Sequence, residues 1–233
     1  MVWGNYEARG ARGVLLDVRP FRVLMVCTGN TCRSPIAEAA LREALRGGLD
    51  ASYARLDARG FADQVMIRSA GTLANDGSPM TPEAVAACAR LRVHTGGVDG
   101  AAHRSHRLTA SDISEADLVL GMTREHRDAV IALEPHAARM TFTLAEFVRV
   151  ATAPGILVGQ CSFDGEDFAA LLRSLVGVVA AARGYVAAPN TASDLDIEDP
   201  FGGSGRVYAR VGSVISTATS TLASTLVGIM HDR

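Results

Sequence analysis

The chain has 233 residues, 48% of them hydrophobic, which is long for one average domain and supplies enough apolar mass for a substantial core. A formal charge of -2 with no long basic run excludes an extended nucleic-acid or anionic-membrane surface, so any positive field has to be local. Four cysteines without paired metal-ligand spacing exclude a disulfide-dense secreted scaffold and a zinc module, and no run of ~18 apolar residues offers a membrane span. The expectation is a soluble, cytoplasmic protein.

Residues 1–21 contain Gly4, Gly10 and Gly13 with no clean periodicity and read as an N-terminal extension. The apolar piece 14–18 is short and holds Asp17, which makes it a poor secretory leader. Residues 22–233 read as a single domain. Its first element is a fully buried strand, 23–26, followed by a loop and then a helix. Ile36, Ala37, Ala40, Leu41, Ala44 and Leu45 recur at helical spacing until Gly47 and Gly48 stop the pattern.

Residues 49–63 read as a connector and 65–69 as a second strand, closed by Ala70-Gly71-Thr72. Thr81 followed by Pro82 and Glu83 is an N-cap, a first-turn proline and a first-turn acid, so a helix is expected over 82–92. Val98 is a candidate start for a short strand. Residues 118–120 make the third strand, 123–133 a helix, 140–144 the fourth strand and 145–150 a short helix. From 151 to 193 the composition shifts toward Ala, Val and Gly around an apolar helix at 168–182, which marks an insertion. A last helix is expected over 206–230. Alternation of strands with crossover-length helices implies a parallel, doubly wound α/β sheet, whose sites lie at the carboxyl ends of the strands.

Cys27 stands at such an end. It opens the stretch Cys27-Thr28-Gly29-Asn30-Thr31-Cys32-Arg33-Ser34-Pro35, where a thiol leads through a loop to an arginine at the start of a helix. Inward-turned N–H groups, the helix N-terminus and a guanidinium that bonds two phosphate oxygens at once make an oxyanion cradle. The thiolate is the reactive form, and an ordinary thiol near pKa ~8.5 is mostly protonated at neutral pH, so Arg33, Ser34 and the helix end have to favour negative charge at Cys27. Gly29 is read as allowing close backbone approach, and Asn30 as tolerating a left-handed conformation while tying the loop down. Cys27 and Cys32 are also compatible with a redox pair.

A leaving oxygen needs a proton. The candidate acid is Asp199 in Glu198-Asp199-Pro200-Phe201-Gly202-Gly203-Ser204, where proline stiffens the backbone beside the carboxylate; Asp194, Asp196 and Glu198 compete for the role. The run His103-Arg104-Ser105-His106-Arg107 reads as a solvated basic patch rather than a metal site, because no third ligand is near. His126 reads as structural and Cys88 as core packing.

These blocks, with Ser69-Ala70-Gly71-Thr72 and Asp117-Leu118-Val119-Leu120 followed by Met122 and His126, resemble the low-molecular-weight protein tyrosine phosphatases. The resemblance implies a four-stranded parallel sheet with helices on both faces and a reaction free of metal and cofactor. Cys27 would attack phosphorus, Arg33 and the loop from Thr28 to Ser34 would hold the phosphoryl oxygens, and Asp199 would act as acid and then base. A phosphotyrosine-bearing protein or small aryl phosphate is the implied substrate, and a protective disulfide between Cys27 and Cys32 is implied as well.

The chain departs from that pattern in its length, in having Asn75 where relatives place an aromatic wall of the cleft, and in Phe201 as the other wall without a tyrosine hydroxyl. The alternatives are an arsenate reductase on the same cradle and a non-hydrolytic phosphate-binding module. Cys88 and Cys161 lack the nearby partner an arsenate relay needs, and the retained Cys27, Arg33 and Asp199 favour turnover over binding.

Overall fold

The computed structural model describes residues 19–52, 64–94, 102–156 and 168–228. Four strands, β1 (Phe21–Cys27), β2 (Val65–Gly71), β3 (Leu118–Gly121) and β4 (Thr141–Thr143), form one sheet in the order β2-β1-β3-β4. Every pairing is parallel, with Cys27 opposite Gly71 and Val26 opposite Gly121. The order reverses at β1, so the crevice beyond its carboxyl end is the topological switch point where open α/β sheets bind ligands.

Seven α-helices lie among the described residues: α1 (Arg33–Ser52), α2 (Pro82–Leu91), α3 (Ala110–Glu115), α4 (Arg124–Leu133), α5 (Leu144–Ala151), α6 (Phe168–Ala182) and α7 (Gly205–Gly228). They cover both faces. Alternation along β1 sends Phe21, Val23, Met25 and Cys27 into a large core shared with α1, α2, α5, α6 and α7. Leu24 and Val26 enter a smaller core with Ile113, Ala116 and Val130 under α3 and α4. That two-sided burial is why β1 reads as a continuous apolar run.

Several boundaries differ from expectation. β1 begins at Phe21, fully buried, inside the stretch assigned to the extension. α1 continues past Gly47 and Gly48 to Ser52, because packing of its apolar face on α7 outweighs the local cost of two glycines. Residues 110–115, for which no element was expected, form the helix α3, opened by a capping box between Thr109 and Asp112. The strand start at Val98, most of the 49–63 connector and Cys161 lie outside the described residues. Within the expected insertion, α6 is held by Arg173, whose Nε donates to Asp117 Oδ1 at 2.9 Å. Arg19 Nη2 reaches the same oxygen at 2.9 Å, and the Arg22 N–H meets Oδ2 at 2.9 Å. Asp117 therefore ties the insertion to the start of β1.

The turn after β2 runs against the loop after β1. Thr72 N–H donates to the Cys27 carbonyl and Leu73 N–H to the Thr28 carbonyl, each at 2.9 Å. At Gly71 a Cβ atom would lie 2.6 Å from the Thr28 carbonyl oxygen and 2.8 Å from the Asn30 nitrogen. Both neighbours are backbone and cannot swing away. Gly71→Ala is expected to cost about 1–3 kcal/mol, the range for overpacking, read as a lower urea midpoint; an unchanged midpoint would mean the two loops separate freely.

Candidate active site

β1 delivers Cys27 to the switch point, nearly buried at 2% exposure, and α1 starts six residues on at Arg33. The Asn30 backbone N–H donates to the sulfur at 3.3 Å, and the Ser34 hydroxyl pairs with it at 3.0 Å. Ser34 Oγ also accepts from Asn30 Nδ2 at 2.9 Å and lies 3.4 Å from the Ala70 carbonyl oxygen, to which it can donate. Asn30 Nδ2 also donates to Ser69 Oγ at 2.9 Å, and Ser69 passes its proton to Glu38 Oε2 at 2.6 Å. These bonds join Cys27, Asn30, Ser34, Ser69 and Glu38 into one network that fixes the loop against β2 and α1.

Asn30 is the hub of the loop. It is fully buried and left-handed at φ 52, a conformation that asparagine tolerates better than most residues. Its Oδ1 accepts the His106 backbone N–H at 2.8 Å, and its carbonyl oxygen is 2.8 Å from His103 Nε2.

Arg33, 3% exposed, projects over the loop. Nη1 donates to the Ile197 carbonyl at 3.2 Å, and Nη2 donates to Thr28 Oγ1 at 3.2 Å and to Asp199 Oδ2 at 2.5 Å. Residues 166 positions apart are thus paired directly. The segment carrying Asp199 is docked by the Ile197 N–H on the Met122 carbonyl at 2.8 Å and by Arg124, whose Nη2 and Nε meet Asp196 at 2.7 and 3.1 Å. A cleft of about 390 Å³ opens above, walled by Thr28 and Arg33 on one side, Thr123, Glu125 and His126 on a second, and residues 196–199 on a third.

Cys27 thus opens a strand-to-helix loop, Arg33 stands over that loop and Asp199 meets Arg33. Residues 22–156 fit the family described as low molecular weight phosphotyrosine protein phosphatase. The chain belongs to that family. This phosphatase is a phosphoester hydrolase of the cysteine-dependent type. It is 30% identical to a protein-arginine-phosphatase of Geobacillus stearothermophilus over 89% of this chain and 97% of that one. It is 36% identical to the probable low molecular weight protein-tyrosine-phosphatase EpsP of Ralstonia solanacearum, over 53% of this chain and 70% of that one. The solved YwlE arginine phosphatase from Geobacillus stearothermophilus superposes with a TM-score of 0.59 at 29% identity, covering 92% of this chain and 97% of that one.

The phosphatase differs from the sequence reading at five places. Within the protein the close approach is at Gly71, a position the sequence reading did not single out for it, while at Gly29 a Cβ would meet only Thr31 Oγ1 at 3.4 Å. Phe201 does not wall the cleft: it sits on the turn after Asp199, 72% exposed, with its N–H on Asp199 Oδ1 at 3.1 Å. The basic patch is not merely solvated, since His103 and the His106 backbone hold Asn30, while the His106 ring meets Asp112 at 2.8 Å. Asp196, read as a competing acid, is engaged by Arg124, a pairing of which the sequence reading had no sign. Leu73 is 65% exposed beside the loop, an apolar residue two positions before Asn75 that the sequence reading did not name.

Cys32, 5% exposed, turns its sulfur away toward the hydroxyls of Thr81 and Tyr208, each at 3.5 Å. Burial and the contact with Cys32 push the Tyr208 hydroxyl up to about 12, so it stays protonated. Cys27, Cys32 and Cys88 are free thiols. Among the described residues no three His, Cys, Asp or Glu side chains are grouped to hold a metal ion, and no helix is long and apolar enough to cross a membrane.

Proposed function

We propose that this phosphatase removes phosphate from protein side chains, with phosphoarginine as well as phosphotyrosine within its reach. Cys27 sulfur attacks phosphorus as the bond to the leaving atom breaks, giving a phosphocysteine. Arg33 and the loop N–H groups from Thr28 to Ser34 hold the phosphoryl oxygens, and Asp199 gives its proton to the leaving atom. Water then attacks phosphorus, Asp199 takes the water proton, and the S–P bond breaks to return thiolate and release phosphate. A reducing cytosol suits a nucleophile that must remain a thiolate.

The observation that carries the reading is the contact of Asp199 with Arg33, both on the cleft wall, beside the loop that Cys27 opens. The second substrate class rests on the lining. Among the described residues Arg33 is the only Lys or Arg on the cleft wall, against Glu125, Asp196, Glu198 and Asp199. Once Arg33 turns to phosphate, the Asp199 carboxylate faces the leaving group without its partner, a setting that suits a guanidinium. Among the described residues no Phe, Tyr or Trp stands on the cleft wall to select a phenyl ring. Burial of Cys88 pushes its thiol up to about 12, which gives no support to an arsenate electron relay.

Purified protein in a metal chelator is expected to release phosphate from phosphoarginine and phosphotyrosine peptides and far more slowly from phosphoserine peptides. Exclusive action on phosphotyrosine would remove the second class, and dependence on added zinc would remove the mechanism.

A further inference from the structure

The loop holds one hydroxyl whose direction is set from outside it. Thr28 Oγ1 has two neighbours, Arg33 Nη2 at 3.2 Å and His126 Nε2 at 2.9 Å. Arginine can only donate. The direction at His126 follows from its other nitrogen: the Thr123 backbone N–H lies 3.1 Å from Nδ1, and an amide N–H can only donate, so Nδ1 presents its lone pair. In a neutral ring the proton is then on Nε2, and His126 also donates to Thr28. Burial, and after it the charge of Arg33, push the His126 pKa down to about 4 against the opposing pull of Asp199 and Asp196, so the ring is neutral near pH 7.

A hydroxyl has two acceptor lone pairs and one proton. Both lone pairs of Thr28 are met by donors, and its own O–H has no acceptor among the described residues. Thr28, Arg33 and His126 line the same cleft. We propose that Thr28 is a hydrogen-bond donor to the phosphoryl group held over Cys27, and that His126 is the positioning residue that turns the Thr28 proton into the cleft. This rests on the phosphatase reading above and adds to it a donor that the backbone cradle lacks.

His126 also closes the N-terminal capping box of α4, with Nδ1 on the Thr123 N–H, so a purely structural role has to be separated. Glutamine makes the separation possible, since at this helix position its oxygen can accept the cap N–H while its amide donates onward. The readouts are inhibition by inorganic phosphate, turnover of an aryl phosphate near neutral pH, and the thermal midpoint.

Thr28→Val is expected to weaken phosphate binding and lower kcat/KM by about tenfold, the scale of one hydrogen bond to a charged group, and Thr28→Ser to restore both. His126→Leu should reproduce the loss and His126→Gln recover most of it. In the Thr28→Val background, His126→Leu should add less than about a further twofold, because the hydroxyl it positions is already gone. Native-like phosphate binding by Thr28→Val, or a His126→Leu effect that persists in full on that background, would overturn the inference. Failure of the native protein to hydrolyse the aryl phosphate would instead overturn the phosphatase reading, while phosphate binding by the Thr28 variants would still be measurable.

Discussion

Cys27→Ser is expected to reduce turnover by on the order of 10⁴-fold or more, the scale seen when a nucleophile is removed, while phosphate affinity stays within about threefold. The reason is a division of labour in the loop. The Asn30 N–H and Ser34 hydroxyl that face the sulfur, and the Arg33 guanidinium above it, do not depend on the sulfur for their positions. Arg33 is held by the Ile197 carbonyl and Thr28, and Asn30 by Ser34, Ser69 and the His106 N–H. A serine hydroxyl keeps the cradle but is a far weaker nucleophile without a base beside it. Phosphate inhibition or calorimetry measures the retained binding, and single-turnover trapping on native enzyme should yield one phosphocysteine, absent from the variant. Retained turnover in Cys27→Ser would place the chemistry elsewhere.

Asp199→Asn is expected to lower kcat by about 10²–10³-fold for poor leaving groups and much less for good ones, the contribution typical of a general acid. The isosteric amide occupies the same space but cannot pass a proton to the leaving atom. Asp199 is half exposed at the cleft mouth, where it bonds Arg33 through Oδ2 and accepts the Phe201 N–H through Oδ1. Removing its charge also frees Arg33 from an ion pair that phosphate has to displace, so phosphate affinity should hold or improve while kcat falls. A series of aryl phosphates of graded phenol pKa gives the test: the slope of log kcat against leaving-group pKa should steepen. An unchanged slope would pass the acid role to another carboxylate.

Much of the fold was legible because local pattern and tertiary demand agree. The apolar run in β1, the Thr81-Pro82 start of α2 and the Phe168–Ala182 helix could each be read from periodicity and capping chemistry. One error came from a local rule overruled by packing, and one element went unread. Gly47 and Gly48 are poor helix residues, yet α1 carries through them on the strength of its contact with α7. Asp112 is an ordinary acid in sequence and becomes the N3 partner of Thr109 once the chain turns there. In the site, the Cys27-to-Pro35 stretch announced itself because its residues are contiguous. His126 did not, because a Thr-x-x-His cap looks like any helix start until Thr28 is folded against it.

By itself the sequence determined the chemistry available to this protein: a thiol, a guanidinium and a hydroxyl on one short loop after a buried strand, with an Asp-Pro step far along the chain. Those are local facts, set by residue type and spacing within a few turns. Only the tertiary structure decided what surrounds them. It laid Gly71 under the loop, brought Asp199 onto Arg33, left Phe201 exposed on its turn and turned His126 toward Thr28. Each of those contacts joins segments whose separation along the chain carries no distance information. Their placement follows from a sheet whose order reverses at β1, and that order is a property of the packed whole.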